Sequence, residues 1–175
     1  MTNILFIGDS LVEFFDWQKR FPGHTIANLG TAGETVEGLH SRIGKIIREY
    51  PSPDLVLIMT GINNVAMEDL GFLDSYQGIV EALSSAYPHA RIVLHTLLPT
   101  LLSWIPKATL REVNRSVHKI AQETNTEVLD LHPVFVDPQG NPIKDYLLPD
   151  GVHLSEKGYA RWAEVLTRIL DKSET

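Results

Sequence analysis

The sequence predicts an α/β protein, a three-layer α/β/α sandwich built around a five-stranded parallel sheet. Three observations predict it. Short runs rich in β-branched and aliphatic residues recur five times, and segments with helical spacing lie between and after them. Three of the runs are almost continuously apolar, as strands covered on both faces are. Strands alternating with helices imply parallel neighbours, because a parallel pair needs a crossover, and the architecture is then flavodoxin-like.

Taken in order, Asn3–Ile7 is the first run. Gly8-Asp9 breaks it, and Ser10 stands where the strand would pass the chain to the next element. The second run is Thr25–Asn28. Val36, Leu39, Ile43, Ile46 and Ile47 form the first helical stripe, which Pro51 and Pro53 end before the third run, Leu55–Thr60. Phe72, Tyr76, Ile79, Val80 and Leu83 form the second stripe, ahead of Arg91–Thr96. Thr109 and Glu112 have capping-box spacing and are expected to open the third helix, whose stripe is Leu110, Val113, Val117, Ile120 and Ala121. After the fifth run, Glu127–Leu131, Ser155 is expected to cap a last helix that faces inward through Tyr159, Trp162, Ala163, Leu166 and Ile169.

No linker-like stretch divides the 175 residues, so a single domain over 1–175 is expected. With 43% hydrophobic and 21% charged residues, only Asp171–Thr175 has a composition that suggests disorder. Fifteen basic against twenty-two acidic residues give a net charge of -7, with no basic patch, which argues against nucleic acid or anionic membrane as a partner. Apolar runs such as Leu55–Met59 are too short to span a bilayer. Without cysteine there are no disulfides and no thiolate metal sites. The amino terminus shows no signal peptide, so a cytoplasmic location is expected. A homodimer stays open.

In an open parallel sheet ligands bind beyond the carboxyl ends of the strands, so the chemistry is expected in the loops that follow them. Those loops hold the unusual residues. Asp9 and Ser10 follow the first run, although both types are also common helix N-caps. Leu29–Glu34 carries Gly30 and Gly33, suited either to a turn or to close approach of a ligand. Gly61-Ile62-Asn63-Asn64 follows the third run, and Asn63 is a candidate to direct an amide N–H into the crevice. Pro149-Asp150-Gly151-Val152-His153 is a turn in which Asp150 can accept from Nδ1–H of His153 and leave Nε2 free as a base. His24, His40, His89 and His118 have no acid at comparable spacing; His95 and His132 end strands, where a structural role outweighs a place in the pocket. The apolar loop Leu97–Pro106, with Phe14, Phe15 and Trp17, is a candidate substrate wall.

These stretches together resemble the GDSL, or SGNH, hydrolase family, from Phe6 to the final helix. Gly8-Asp9-Ser10-Leu11 resembles its first block, Gly30 its second, Gly61-Ile62-Asn63 its third and Asp150-Gly151-Val152-His153 its fifth. Among relatives the chain resembles in particular the catalytic subunits of brain-type platelet-activating-factor acetylhydrolase, on Asn63-Asn64 and Leu97-Leu98-Pro99. Asn64 stands where many members have Asp. The resemblance implies the SGNH hydrolase fold and a serine esterase acting on small to medium acyl esters, acetyl esters foremost. It implies Ser10 as nucleophile, His153 as base and Asp150 as its orienting acid. The oxyanion donors would be the N–H groups of Ser10 and Gly30 and the Asn63 side chain, with a small-molecule ester as partner and neither cofactor nor metal.

Other classes compete with this reading. Lysophospholipase or thioesterase activity would use the same site. A non-catalytic flavodoxin-like module could cradle a phosphate at a helix N-terminus. A metal-dependent hydrolase would need Asp9, Asp150 and His153 as ligands and more donors than these loops offer.

Overall fold

The computed structural model describes residues 1–170; the disorder expected for Asp171–Thr175 falls outside them. The strands are β1 (Asn3–Gly8), β2 (Thr25–Gly30), β3 (Leu55–Met59), β4 (Arg91–His95) and β5 (Glu127–Leu129). They form one parallel sheet in the order β2-β1-β3-β4-β5, with Gly8 opposite both Gly30 and Met59. Each strand pairs in parallel with its neighbours, as the alternating pattern requires. β3 is buried along its whole length, which is why it reads as Leu-Val-Leu-Ile-Met with no alternation. The edge strand β2 is only partly covered, hence its weaker signal. β1 and β2 extend further than the apolar runs suggest, through Gly8 and Gly30, whereas β5 stops at Leu129.

The helices are α1 (Ser10–Glu13), α2 (Trp17–Arg20), α3 (Val36–Glu49), α4 (Ile62–Ala66), α5 (Leu73–Ala86), α6 (Lys107–Thr124) and α7 (Glu156–Leu170). The short α1, α2 and α4 have no sequence stripe of their own, being too brief to show a period. α3, α5 and α6 lie side by side. With right-handed crossovers they cover one face of the sheet, and α2 and α7 the other. There Trp17 stacks on Phe6 at 4.4 Å and meets Trp162 edge-on at 4.8 Å.

One cap differs from expectation. α6 begins at Lys107 behind Pro106, so Thr109 already lies in the first turn, its N–H donating to the Pro106 carbonyl, and no side chain caps the helix. Proline there supplies the extended φ of -63° and has no N–H to satisfy. Ser155 does cap α7: its hydroxyl oxygen accepts from Gly158 N–H at 3.2 Å. Among the described residues no helix is long and apolar enough to cross a membrane.

The strand order places the topological switch between β1 and β3. The loops leaving these two central strands diverge there, and they begin with Asp9-Ser10 and with Gly61-Ile62-Asn63.

Candidate active site

β1 ends tightly against β3. A Cβ at Gly8 would run into the Met59 carbonyl, so only glycine fits where the chain turns into α1. Asp9 is the N-cap of α1, and its Oδ1 accepts from Leu11 N–H at 3.0 Å. Ser10 then begins the helix, 5% exposed, with no acceptor for its own N–H among the described residues. Tyr159 of α7 holds the same turn by donating its hydroxyl to the Leu11 carbonyl at 3.0 Å.

The turn before α7 supplies the other half. Gly151, at φ +79°, donates to the Leu148 carbonyl, and Leu148 N–H donates to the His153 carbonyl at 2.7 Å. The Asp150 Oδ1 accepts from the N–H groups of Val152 and His153 at 2.8 and 2.9 Å. Its Oδ2 lies 2.9 Å from His153 Nδ1, and His153 Nε2 lies 3.0 Å from the Ser10 Oγ. With the Nδ1 proton directed at Asp150, Nε2 is the acceptor for the serine hydroxyl. Residues 143 positions apart thus meet within hydrogen-bond reach. Partial burial works to raise the Asp150 pKa. The Val152 and His153 N–H donors and the imidazole outweigh it and hold the carboxyl below its ordinary value, so it stays ionised beside the imidazole.

The third strand's loop contributes Asn63, whose Nδ2 donates to the Glu34 carbonyl at 2.8 Å and so joins α4 to the loop after β2. One amide proton is left. That loop is further held by Arg42, which grips Glu34 through two hydrogen bonds of 2.6 and 2.7 Å and donates to the Leu29 carbonyl. Glu13 accepts from Ala32 N–H at 2.6 Å.

Gly30 does not fit the part expected of it. Its N–H donates to the Asn28 Oδ1 at 3.1 Å, and a Cβ there would strike the Glu13 backbone, so it is a packing glycine with its donor already engaged. Asn28 explains why: its amide also donates to the carbonyls of Val12, Glu13 and Phe15, which closes α1 onto β2. Gly33 is the other glycine of the loop. It sits at φ +74° beside Glu34, with no acceptor for its N–H among the described residues.

Asn64 is wholly structural. It is completely buried, its Oδ1 accepts from Val36 N–H at the start of α3, and its Nδ2 donates to Glu37 and Asp69. Of the three aromatics after Ser10, only Phe14 reaches the rim. It is 57% exposed with its ring 5.4 Å from that of His153, whereas Trp17 is buried and Phe15 stacks on Tyr159. In the loop after β4, Leu97 and Leu98 are buried, while Leu101 and Trp104 stay exposed. Leu101 N–H donates to the Gly151 carbonyl, and the Trp104 indole to that of Ala66.

Two titratable groups are buried near the sheet. Asp9 is fully buried, and desolvation chiefly pushes its carboxyl up to about 7, against the opposing Leu11 N–H and His153. Its Oδ2 has no hydrogen-bond partner among the described residues. His95 lies in the core edge-on to Trp162 at 5.5 Å, and burial pushes its imidazole down to about 3, so it remains neutral and does not line the crevice. His132 is tied through Nδ1 to the Leu97 carbonyl at 3.1 Å. Among the described residues no group of three or more His, Asp or Glu side chains converges as a metal site would require.

Known proteins share both the sequence and the architecture. The profile of the GDSL-like Lipase/Acylhydrolase family matches residues 6–161. The platelet-activating factor acetylhydrolase IB subunit alpha1 of Homo sapiens is 29% identical over 177 aligned residues, spanning 96% of this chain and 75% of its own. A variant of an acetyl xylan esterase from Geobacillus stearothermophilus superposes with a TM-score of 0.76 at 26% identity, covering 95% of this chain and 93% of that one. A GDSL-like lipase from Bacteroides thetaiotaomicron shares the fold, with a TM-score of 0.79 at 19% identity over 98% and 89% of the two chains. On the extent of the profile match and the relatives that share it, the chain belongs to the GDSL-like lipase/acylhydrolase, or SGNH hydrolase, family and is an ester-cleaving hydrolase.

Proposed function

We propose that the protein hydrolyses small to medium acyl esters, acetyl esters foremost, with Ser10 as nucleophile, His153 as general base and Asp150 as its orienting carboxylate. The observation that carries this reading is the unbroken relay from Asp150 Oδ2 through His153 to the Ser10 Oγ, at 2.9 and 3.0 Å. His153 Nε2 takes the hydroxyl proton as Oγ bonds to the carbonyl carbon. The imidazolium is stabilised by Asp150 and returns that proton to the leaving alcohol oxygen. Water then repeats the sequence on the acyl-enzyme and frees Ser10.

The negative charge that develops on the carbonyl oxygen needs donors already in place. Ser10 N–H, at the start of α1, and the remaining amide proton of Asn63 fit that need. The N–H of Gly33 takes the part expected of Gly30, because it is unengaged and next to the residue that fixes Asn63. Acetyl as the acyl group is supported by a relative named for acetylhydrolase activity and a structural neighbour named as an acetyl esterase.

The test is a chromogenic acetate assayed with wild type and Ser10→Ala, together with labelling by a fluorophosphonate. Turnover and labelling should both vanish in the variant. Equal rates in the two proteins would remove Ser10 from the chemistry.

A further inference from the structure

We propose that the groove behind His153 is the subsite for the alcohol half of the ester, and that it takes an uncharged, apolar alkyl or aryl alcohol. The proposal rests on the ester-hydrolase reading above. The groove has a cavity volume of about 710 Å³ and is lined by Phe14, Phe15, Leu148, Leu154, Tyr159 and Ala160. Ligand sites commonly span about 300–1,000 Å³. Phe14 and Leu148 are among the few large apolar side chains left in water, 57% and 41% exposed. Both also touch the proposed base: the Phe14 ring lies 5.4 Å from the imidazole, and Leu148 N–H donates to the His153 carbonyl.

The chemistry decides which half of the substrate lies there. His153 Nε2 must reach the leaving oxygen to return the proton, so that oxygen sits on the imidazole side of the carbonyl carbon. The carbonyl oxygen points instead toward Asn63 and Gly33, on α4 and the β2 loop. A chain attached to the leaving oxygen therefore runs on past the imidazole, where Phe14 and Leu148 begin the groove. The acyl chain departs from the carbonyl carbon in another direction.

Charge narrows the class further. Lys19 and Arg20 at the groove are matched by Asp16 and Glu156. Asp16 already accepts from Lys19 N–H, and the Arg20 guanidinium lies 5.1 Å over the Phe21 ring. A balanced set of charges gives an ionic alcohol no net attraction, whereas an apolar one gains by covering the exposed Phe14 and Leu148. Each methylene buried there is worth roughly fourfold in kcat/KM.

The experiment compares two series in a pH-stat below the solubility limit, n-alkyl acetates from ethyl to hexyl and ethyl alkanoates from acetate to hexanoate. Wild type should gain on the order of a hundredfold in kcat/KM from ethyl to hexyl acetate. The acyl series should rise much less. Ala160→Trp, which fills the groove from the exposed face of α7, and Leu148→Asn should each cut the hexyl-to-ethyl ratio at least about tenfold. A ratio that falls in either folded variant supports the subsite. A ratio unchanged in both, or a steeper slope along the acyl series, overturns it. Failure of wild type to cleave any acetate would remove the hydrolase reading instead, and the groove is then judged by calorimetry with 1-hexanol. Saturable binding weakened by Ala160→Trp keeps the subsite, and no saturable binding ends it.

Discussion

Asn63 and Asn64 are neighbours of one residue type with opposite assignments, and replacing each by alanine separates chemistry from scaffold. Asn63 uses one amide proton to hold the Glu34 carbonyl at 2.8 Å, and in the proposed mechanism the other serves the oxyanion. Removing an oxyanion donor raises the barrier by about 2.7–4 kcal/mol, so Asn63→Ala should lower kcat about 10²–10³-fold with KM little changed. Its effect on stability is one lost hydrogen bond, about 1 kcal/mol, or about 2–4 °C in Tm for a chain of this size. Asn64→Ala should do the reverse. It removes the acceptor of the buried Val36 N–H and the donor to Glu37 and Asp69, leaving a buried N–H unmet at about 1–3 kcal/mol in addition to the lost bonds. Steady-state kinetics on a chromogenic acetate and thermal melts, run on both variants, read the two effects independently. If Asn63→Ala raised KM at constant kcat, or if folded Asn64→Ala lost as much kcat as Asn63→Ala, the division of labour argued from these hydrogen bonds would be wrong.

Three further outcomes are expected. Asp150→Asn should lower kcat by about 10²–10⁴-fold, because the amide no longer stabilises the imidazolium; an unchanged rate would show that His153 needs no carboxylate. Asp9 holds its proton in the folded state up to about 7, against an ordinary value of 3.8. The unfolded chain releases that proton first, so this contribution to stability is complete below pH 3.8 and is lost as pH rises to 7. Asp9→Asn should therefore gain on wild type in denaturant midpoint across that interval and hold a constant lead above it, and a lead independent of pH would rule out a protonated Asp9. Gly30→Ala should unfold the protein by driving a methyl into the Glu13 backbone, whereas Gly33→Ala, whose methyl meets nothing within 4 Å, should fold at a cost of about 1 kcal/mol, as thermal melts of the two variants would show. A Gly33→Ala variant as unstable as Gly30→Ala would refute the difference in packing between the two positions.

Much of the fold was legible because buried parallel strands leave unbroken apolar runs and long surface helices leave stripes. Leu55–Met59 and the α3 stripe from Val36 to Ile46 carry that information in the letters themselves. The pairing of Asp150 with His153 was legible for a related reason: three residues of a tight turn already bring the two groups within reach, before any tertiary contact forms. Gly30 was misread because two glycines in one loop look alike in sequence, and only the Asn28 side chain, two residues upstream, decides which N–H is engaged. The Thr109 box failed because a proline that sets its own backbone angle outcompetes a side-chain cap. The burial of Asp9 left no local signal, since desolvation comes from residues distant in sequence, whereas His95, at a strand end, was expected to be structural and packs beside Trp162.

The proposed nucleophile Ser10, Asn63 and the Gly33 loop follow three adjacent strands of a hydrogen-bonded sheet, with β1 flanked by β3 and β2. The imidazole comes instead from an irregular excursion after the short edge strand β5, pinned to its surroundings by contacts such as Leu101 to Gly151 and Lys157 to Asp145. The proposed pocket for the oxyanion therefore shares the cooperativity of the whole sheet, while the proposed base depends on a less anchored piece of chain. Mild denaturation should then disarm the molecule before melting it, silencing proton transfer while the anion cradle still stands.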